Sequence, residues 1–109
     1  RYLLEHGAAV NSIGPRRRMP LHTAVGAGRR RMADLLLSSG ARLNAQDDQG
    51  NTPLHIAVDK SDVTMAGTLL VAGALREATN KSGDSPMDMA IGSDSEAMLE
   101  LFIQHGTRE

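Results

Sequence analysis

Two histidines in the same four-residue context are the residues most suited to chemistry. His22 closes the word Met19-Pro20-Leu21-His22, and His55 closes Thr52-Pro53-Leu54-His55, 33 residues further on. Imidazoles can ligate a metal ion or transfer protons near neutral pH. The next member of the series is Asp88, however, and no His, Asp or Glu cluster has metal-ligand spacing. The pair therefore has a repeated context but lacks the companions of a catalytic or metal site.

Other sequence signals of catalysis are missing as well. The chain contains no cysteine, which removes disulfides, thiolate metal ligands and cysteine nucleophiles. It has no G-x-S-x-G motif and no P-loop. Gly26-Ala27-Gly28 is read as a turn between helices, without the strand that a dinucleotide fingerprint needs. We predict that this segment is not an enzyme and holds no cofactor and no metal.

The spacing of the histidines belongs to a repeat that runs through the whole chain. Paired apolar residues and Gly-Ala pairs recur at the same interval. They are Leu3-Leu4, Leu36-Leu37, Leu69-Leu70 and Phe102-Ile103, then Gly7-Ala8, Gly40-Ala41, Gly73-Ala74 and Gly106-Thr107. A period of this length is typical of stacked supersecondary units, none of which buries its apolar face alone.

Each unit predicts two helices joined by a turn. Thr52 before Pro53 indicates a helix start, because the hydroxyl caps free N–H groups and proline suits the first helical position. Ser85-Pro86 repeats this signal, and Ser93 to Glu96 fits a capping box before the last helix. Gly73 follows a helical apolar pattern at the place where a left-handed residue ends a helix.

The predicted core is aliphatic, since the chain has no Trp, one Tyr and one Phe. Small Ala24, Ala57 and Ala90 form one column of the first helix, where a neighbouring backbone approaches closely. Larger side chains form a column of the second helix. Its members Met32, Met65 and Met98 are all expected in the core.

These motifs resemble the ankyrin repeat. The family pattern D-x-x-G-x-T-P-L-H-x-A, followed by a helix ending L-L-x-x-G-A-x-x-N, is met from Asp47 to Glu77, except that Glu77 replaces the final Asn. The resemblance implies an all-α repeat fold: a solenoid of stacked helix-turn-helix units joined by projecting hairpin turns. It also implies that His22 and His55 hold the turns by hydrogen bonds to the backbone. The tetratricopeptide repeat fits less well, because its aromatic and tryptophan positions are missing.

The register predicts one domain. We expect a partial repeat at 1–13, repeats at 14–46 and 47–79, and a nearly complete repeat at 80–109, as a fragment of a larger protein that extends N-terminally. No apolar run is long enough to span a bilayer and no signal segment opens the chain. A cytoplasmic or nuclear location is the resulting expectation.

Arginines are concentrated in the first part of the chain. Residues 1–46 hold eight of them against two acidic residues, whereas residues 47–109 hold four basic and eleven acidic residues. The arginines are Arg1, Arg16, Arg17, Arg18, Arg29, Arg30, Arg31 and Arg42. A net charge of −1 therefore conceals a strong charge polarity along the chain.

Two arginine triplets break local rules. Arg16 to Arg18 fall on the turn that ankyrin repeats project as a finger, where Arg17 takes the place of Gly50 and Gly83. A left-handed residue is expected at that place, so an arginine either strains the loop by on the order of 1 kcal/mol or more, or reshapes it. Arg29 to Arg31 open a second helix, where cations oppose the helix dipole. We predict a functional basic cluster of Arg17, Arg29, Arg30 and Arg31. The alternatives are ordinary solvated surface and pairing with an acidic repeat outside this sequence.

By the same resemblance, partners bind across the fingers and the exposed face of the first helices. We predict a protein-binding module whose partner carries an acidic patch facing the first full repeat, with no small-molecule substrate. The predicted contact residues are Arg16, Arg18, Gly26, Ala27, Asp48, Gln49, Asn51, Asp59, Lys60, Lys81, Ser82 and Asp84.

The sequence also leaves other hypotheses about function open. The segment could be an intramolecular regulatory or spacer domain of an enzyme or channel. Nucleic acid and anionic membrane fit less well, because aromatic residues for base stacking are scarce and no lipidation or amphipathic signal is found. Ankyrin repeats are also substrates of an asparaginyl hydroxylase, and by resemblance Asn11 and Asn44 occupy the modified position.

Overall fold

The structure is a computed structural model that describes residues 13–93 and 95–106, with side chains up to residue 104. The predicted partial repeat therefore lies outside the described residues, apart from Ile13. The described part of the chain consists of helices and loops without strands. A short 3-10 turn, Pro15–Arg17, precedes six α-helices: α1 Pro20–Gly26, α2 Arg30–Ser38, α3 Pro53–Asp59, α4 Val63–Val71, α5 Pro86–Gly92 and α6 Glu96–Gly106.

The helices form three pairs that stack on one another. Within each pair the short first helix packs against the longer second helix, so α1 contacts α2, α3 contacts α4 and α5 contacts α6. The first helices also form a row in which α3 lies between α1 and α5, and α4 packs against α6. The predicted all-α solenoid of stacked helix-turn-helix units is confirmed.

The first helices begin where Pro and a preceding cap predict. Thr52 Oγ1 accepts a hydrogen bond from the His55 N–H at 3.3 Å, and His55 Nδ1 accepts from the Thr52 N–H at 2.9 Å. Ser85 and Asp88 exchange the same two bonds, at 3.0 and 3.1 Å. These reciprocal capping boxes satisfy donors that the first helical turn leaves free.

The capping box predicted from Ser93 to Glu96 is wrong in register. Helix α6 begins at Glu96 itself, and Ser95 Oγ accepts from the Met98 N–H at 3.2 Å. Ser93 Oγ instead donates to the Ala90 carbonyl of the preceding helix at 2.8 Å. Both serines fit a cap by residue type, so only the position at which the backbone turned helical could decide between them.

The core lies between the repeats, and the prediction for the methionine column holds for two of its three members. Met65 and Met98 are each 1% exposed, but Met32 is 39% exposed. Because Met98 is buried in the last described pair and Met32 is not buried in the first, this column faces the preceding repeat. No described repeat lies on that side of Met32, so its predicted burial is wrong.

Candidate protein-binding surface

Three projecting hairpin turns, here called fingers, connect or precede the helix pairs. Finger 1 comprises residues 14–18, finger 2 residues 47–51 and finger 3 residues 80–84. In finger 2 the Asp47 N–H donates to the Asn51 carbonyl and the Gly50 N–H donates to the Asp47 carbonyl, each at 2.9 Å. Fingers 1 and 3 contain the equivalent bonds at 2.9 to 3.0 Å. All three turns therefore share one hydrogen-bonding register.

Finger 1 has a different tip from the other two. Arg17 has φ 59°, close to the 78° of Gly50 and the 85° of Gly83, so its predicted left-handed conformation is confirmed. Arg16 is also left-handed, with φ 62°, which the sequence did not indicate. Each of these conformations costs a non-glycine residue on the order of 1 kcal/mol or more. Both arginine side chains are exposed to solvent.

The base of finger 1 also differs from its counterparts. In finger 2, Asp47 Oδ1 accepts the N–H groups of Gln49 and Asn51, each at 2.9 Å. Asn80 Oδ1 accepts the two equivalent bonds in finger 3 at 3.0 Å. Gly14 stands at this place in finger 1 and offers no side chain. Finger 1 thus lacks the side-chain brace that fixes the other two turns.

A partly buried ion pair links finger 1 to finger 2. Arg18 Nε lies 3.2 Å from Asp47 Oδ2, and the side chain of Asp47 is only 1% exposed. Burial raises the pKa of this carboxyl, but the N–H groups of Asn51 and Gln49 and the guanidinium of Arg18 outweigh burial and hold the pKa below its ordinary value. Arg18, predicted to contact a partner, is therefore engaged within the protein.

Backbone hydrogen bonds join the fingers into a row. The Asp48 N–H donates to the Arg16 carbonyl and the Lys81 N–H donates to the Gln49 carbonyl, each at 2.9 Å. Gly50 lies so close to finger 3 that an added Cβ would be 2.9 Å from Lys81 N. The tips are therefore held at fixed positions relative to one another, as a docking surface requires.

The two histidines hold the fingers by hydrogen bonds to the backbone, as the family resemblance implied. His22 Nε2 lies 2.9 Å from the Ala45 carbonyl and 3.0 Å from the Asn51 carbonyl, while its Nδ1 accepts from the Met19 N–H at 3.0 Å. His55 Nε2 lies 2.9 Å from the Asp84 carbonyl in the same way. Burial lowers the pKa of both imidazoles, although the backbone carbonyls partly oppose this.

The predicted contact residues divide into an exposed set and a half-buried set. Asn51 is half-buried, and its Oδ1 accepts a hydrogen bond from Asn80 Nδ2 at 2.8 Å, which joins finger 2 to finger 3. The exposed residues are Arg16, Ala27, Gln49, Asp59, Lys60, Lys81, Ser82 and Asp84, and the half-buried ones are Arg18, Gly26, Asp48 and Asn51. Those of the fingers lie at the N-terminal ends of the first helices, and Gly26, Ala27, Asp59 and Lys60 lie at the opposite ends.

The predicted basic cluster is divided by the fold. Arg17 precedes the N-terminal end of α1, whereas Arg29, Arg30 and Arg31 follow its C-terminal end and are exposed at the start of α2. Arg29 provides no side-chain cap to α2. The structure therefore brings Arg17 together with Arg16, and places the second triplet at the other end of the helix pair.

Of the predicted modification sites, Asn44 lies within the described residues and Asn11 lies outside them. Asn44 is exposed, and its Oδ1 accepts from the Leu75 N–H of the next repeat at 2.9 Å. One arginine that sequence patterns did not single out, Arg42, lies two residues before Asn44 and lines a hollow together with Arg17. The repeat register could have identified Arg42 as unusual, because Leu75 stands at the equivalent position of the next repeat.

Within residues 13–93 and 95–106 no group of three or more acidic or histidine side chains could hold a metal ion. In the same ranges no helix has the length and apolar character needed to cross a membrane.

Stacked helix pairs with a row of projecting fingers define a helical repeat protein of the solenoid class. A family model described as ankyrin repeats in many copies matches residues 21–70, in agreement with the predicted ankyrin-repeat fold. Comparison with curated proteins gave no match. Ankyrin repeats generally mediate protein–protein interaction, and domains built from them are typically non-catalytic.

Proposed function

We propose that the chain is a non-catalytic protein-binding module that contacts a partner through its fingers and the exposed face of its first helices. Finger 1 presents Arg16 and Arg17 to an acidic patch of that partner. One observation carries the proposal: these consecutive arginines are both exposed and both left-handed at the tip of a finger.

The backbone of finger 1 gives no reason of its own for arginine at these positions. Glycine takes the place of Arg17 in the other two fingers, where it adopts the same conformation without strain. At the place of Arg16 the other fingers have Gln49 and Ser82, which are not left-handed. Strained residues persist where the surrounding structure holds them, and they are concentrated at binding sites. The bond from the Asp48 N–H to the Arg16 carbonyl supplies part of that hold.

The charge distribution supports an oriented partner. Finger 3 and the helix after it expose Asp84 and Asp88, at the opposite end of the row from Arg16 and Arg17. A partner with its acidic patch on finger 1 avoids repulsion by the third repeat. Complementary charges of this kind raise the association rate and fix the binding orientation more than they raise affinity.

Nucleic acid and membrane surfaces fit the geometry less well. The two arginine triplets lie at opposite ends of α1, so they offer no continuous basic strip for a phosphate backbone. The aromatic side chain that residues 13–104 contain, Phe102, is fully buried and provides no platform for base stacking.

A pair of matched charge reversals tests the proposal. In the first variant Arg16 and Arg17 are both changed to Glu; in the control Arg30 and Arg31 are changed to Glu, which alters the net charge equally at the other end of α1. Proteins captured by the unaltered chain are identified, and their association rates are measured with both variants by surface plasmon resonance, after circular dichroism shows that each is folded.

We expect the finger 1 variant to slow association by at least about tenfold at low salt, and the control to change it much less. Equal losses in both variants would mean that only net charge matters. Unchanged binding by the finger 1 variant would reject the assignment of Arg16 and Arg17.

A further inference from the structure

An open hollow of about 490 Å³ lies beside finger 1, between the finger and the loop that leads from α2 to finger 2. The described side chains that line it include no carboxylate, although much of the chain is acidic. The lining residues include Ile13, Arg17, Met19, Arg42, Asn44 and Gln46. We call it the Arg17–Arg42 hollow.

Both arginines depart from the repeat register. In the next repeat Gly50 takes the place of Arg17 and Leu75 takes the place of Arg42, while Glu77 stands where Asn44 stands. The positions of the second repeat that correspond to Arg17, Arg42 and Asn44 therefore carry no cation and one anion. Two independent departures, both to arginine, are brought to one hollow by the fold.

The polar groups beside the two arginines are held in place by the next repeat. Asn44 Oδ1 accepts from the Leu75 N–H, so the Asn44 side chain presents its Nδ2 donors to other groups. Gln46 Nε2 donates to the carbonyls of Gly50 and Thr79, each at 3.1 Å. One wall is apolar, since Ile13 is 57% exposed. Cationic donors beside a fixed amide and an exposed aliphatic side chain favour an anion attached to an apolar neighbour.

We propose that the Arg17–Arg42 hollow binds a carboxylate side chain of the partner, carried in a segment where acidic and aliphatic residues alternate. Arg17 and Arg42 bind the carboxylate, Asn44 Nδ2 donates to it, and Ile13 contacts the aliphatic neighbour. A guanidinium fork suits the two oxygens of a carboxylate. The proposal rests on the protein-binding function above and adds a second contact to it, because Arg16 lines a separate groove with Arg18 and Thr23.

The mixed lining of the hollow favours a peptide over the other anionic surfaces. A membrane surface is broad and its headgroups need only an exposed basic patch, whereas Arg17 and Arg42 share a concavity with an aliphatic wall.

The test uses the full chain and a capped hexapeptide that alternates Leu and Glu, with a control peptide in which Gln replaces each Glu. Binding is followed by NMR through the Nε–Hε signals of the arginines. The variants replace each hollow arginine with the residue of the next repeat: Arg42→Leu and Arg17→Gly. Arg30→Leu, at the exposed start of α2, is the matched control for the lost charge, and Arg16→Gln reports separately on the neighbouring groove.

We expect saturable shifts at Arg17 and Arg42 with the Glu peptide alone, and a loss of about tenfold in affinity for Arg42→Leu and for Arg17→Gly. Arg30→Leu should change the affinity less than about threefold. Shifts confined to Arg16 would overturn the hollow while leaving the proposed finger contact intact.

Three other outcomes also reject the hollow. The first is equal binding of the Gln peptide, and the second is equal response to sodium acetate, which would show a nonspecific anion effect. In the third, the peptide does not bind, but the chain binds vesicles that contain phosphatidylserine and loses this binding in Arg42→Leu and Arg17→Gly. That result would assign the arginines to a lipid surface.

Discussion

The carboxylate of Asp47 and the guanidinium of Arg18 join finger 2 to finger 1 across a distance of 3.2 Å. The other oxygen of Asp47 accepts two backbone N–H groups of its own finger. One buried side chain therefore shapes its own turn and fixes the neighbouring one, and the repeat that carries the proposed binding arginines depends on it.

Substitutions of Asp47 should separate these two roles. Asp47→Asn keeps an acceptor for the two N–H groups, as Asn80 does in finger 3, and loses the ion pair, so we expect a loss of about 1 kcal/mol in unfolding free energy. Asp47→Ala loses both and should cost about 2–4 kcal/mol. Asp48→Asn is the control, because Asp48 Oδ1 is buried without a hydrogen-bond partner among the described residues. Urea denaturation measures the unfolding free energy of all three variants. Equal losses for Asp47→Asn and Asp47→Ala would contradict the separation of the two roles of Asp47.

The lowered pKa of Asp47 predicts one limb of the pH dependence. Its folded pKa lies below the ordinary value of 3.8, so its contribution is complete above that value and is lost as the pH falls further. Asp47→Asn should therefore show a smaller loss of melting temperature than the unaltered chain below about pH 4. An identical acid limb in both proteins would show that other carboxylates control it.

His22 and His55 predict a second limb at higher pH. The folded pKa of each lies below 6.5, so their contribution to stability is complete above that pH and declines as the pH falls below it. The cause is burial, and protonation of Nδ1 would also break its bond with the Met19 or Thr52 N–H. NMR titration of the imidazole signals should give values below 6.5. A midpoint above 6.5 for either histidine would reverse the predicted sign.

Arg17→Gly should leave stability unchanged or raise it by up to about 1 kcal/mol, because glycine adopts the left-handed conformation freely. The reverse change, Gly50→Arg, should cost well over 1 kcal/mol, since its Cβ would also approach Lys81 N within 2.9 Å. Thermal denaturation compares the two. A clear loss of stability in Arg17→Gly would show that the arginine side chain itself stabilises the finger.

The turn between α3 and α4 offers a second test of backbone strain. Ser61 has φ 56° where the equivalent Gly28 has φ 72°. Ser61→Gly should therefore stabilise the chain by about 0.5–1 kcal/mol and Gly28→Ser should destabilise it by a similar amount. Ser61 is exposed, so few contacts are lost with its side chain. Chemical denaturation measures both changes. A loss of stability in Ser61→Gly or a gain in Gly28→Ser would refute the assignment of backbone strain to Ser61.

The methionine column predicts unequal costs of truncation. Met65→Ala should lose about 2–5 kcal/mol, because it empties a fully buried site, whereas Met32→Ala should lose less than about 1 kcal/mol in this chain. Urea denaturation measures both. Similar losses for the two variants would mean that Met32 is covered in solution.

Short-range sequence signals were enough to predict the local structure. Thr52-Pro53 and Ser85-Pro86 specify helix starts through groups only three residues apart, and the repeat register identified Arg17 as a residue in a glycine position. These features depend on backbone conformation and short-range hydrogen bonds, which a few neighbouring residues fix. The same signals left Ser93 and Ser95 unresolved, because either residue could cap a helix.

The contacts between side chains of different repeats depended on the fold. Arg18 is an arginine among exposed arginines in the sequence, yet it forms an ion pair with Asp47 of the next finger. Arg42 lines the same hollow as Arg17 because the loop after α2 passes beside finger 1. Met32 and Met98 share a column but differ in burial, because burial depends on the repeat that lies alongside. Contacts of this kind follow from how whole repeats stack, and residue type and spacing within one repeat do not specify them.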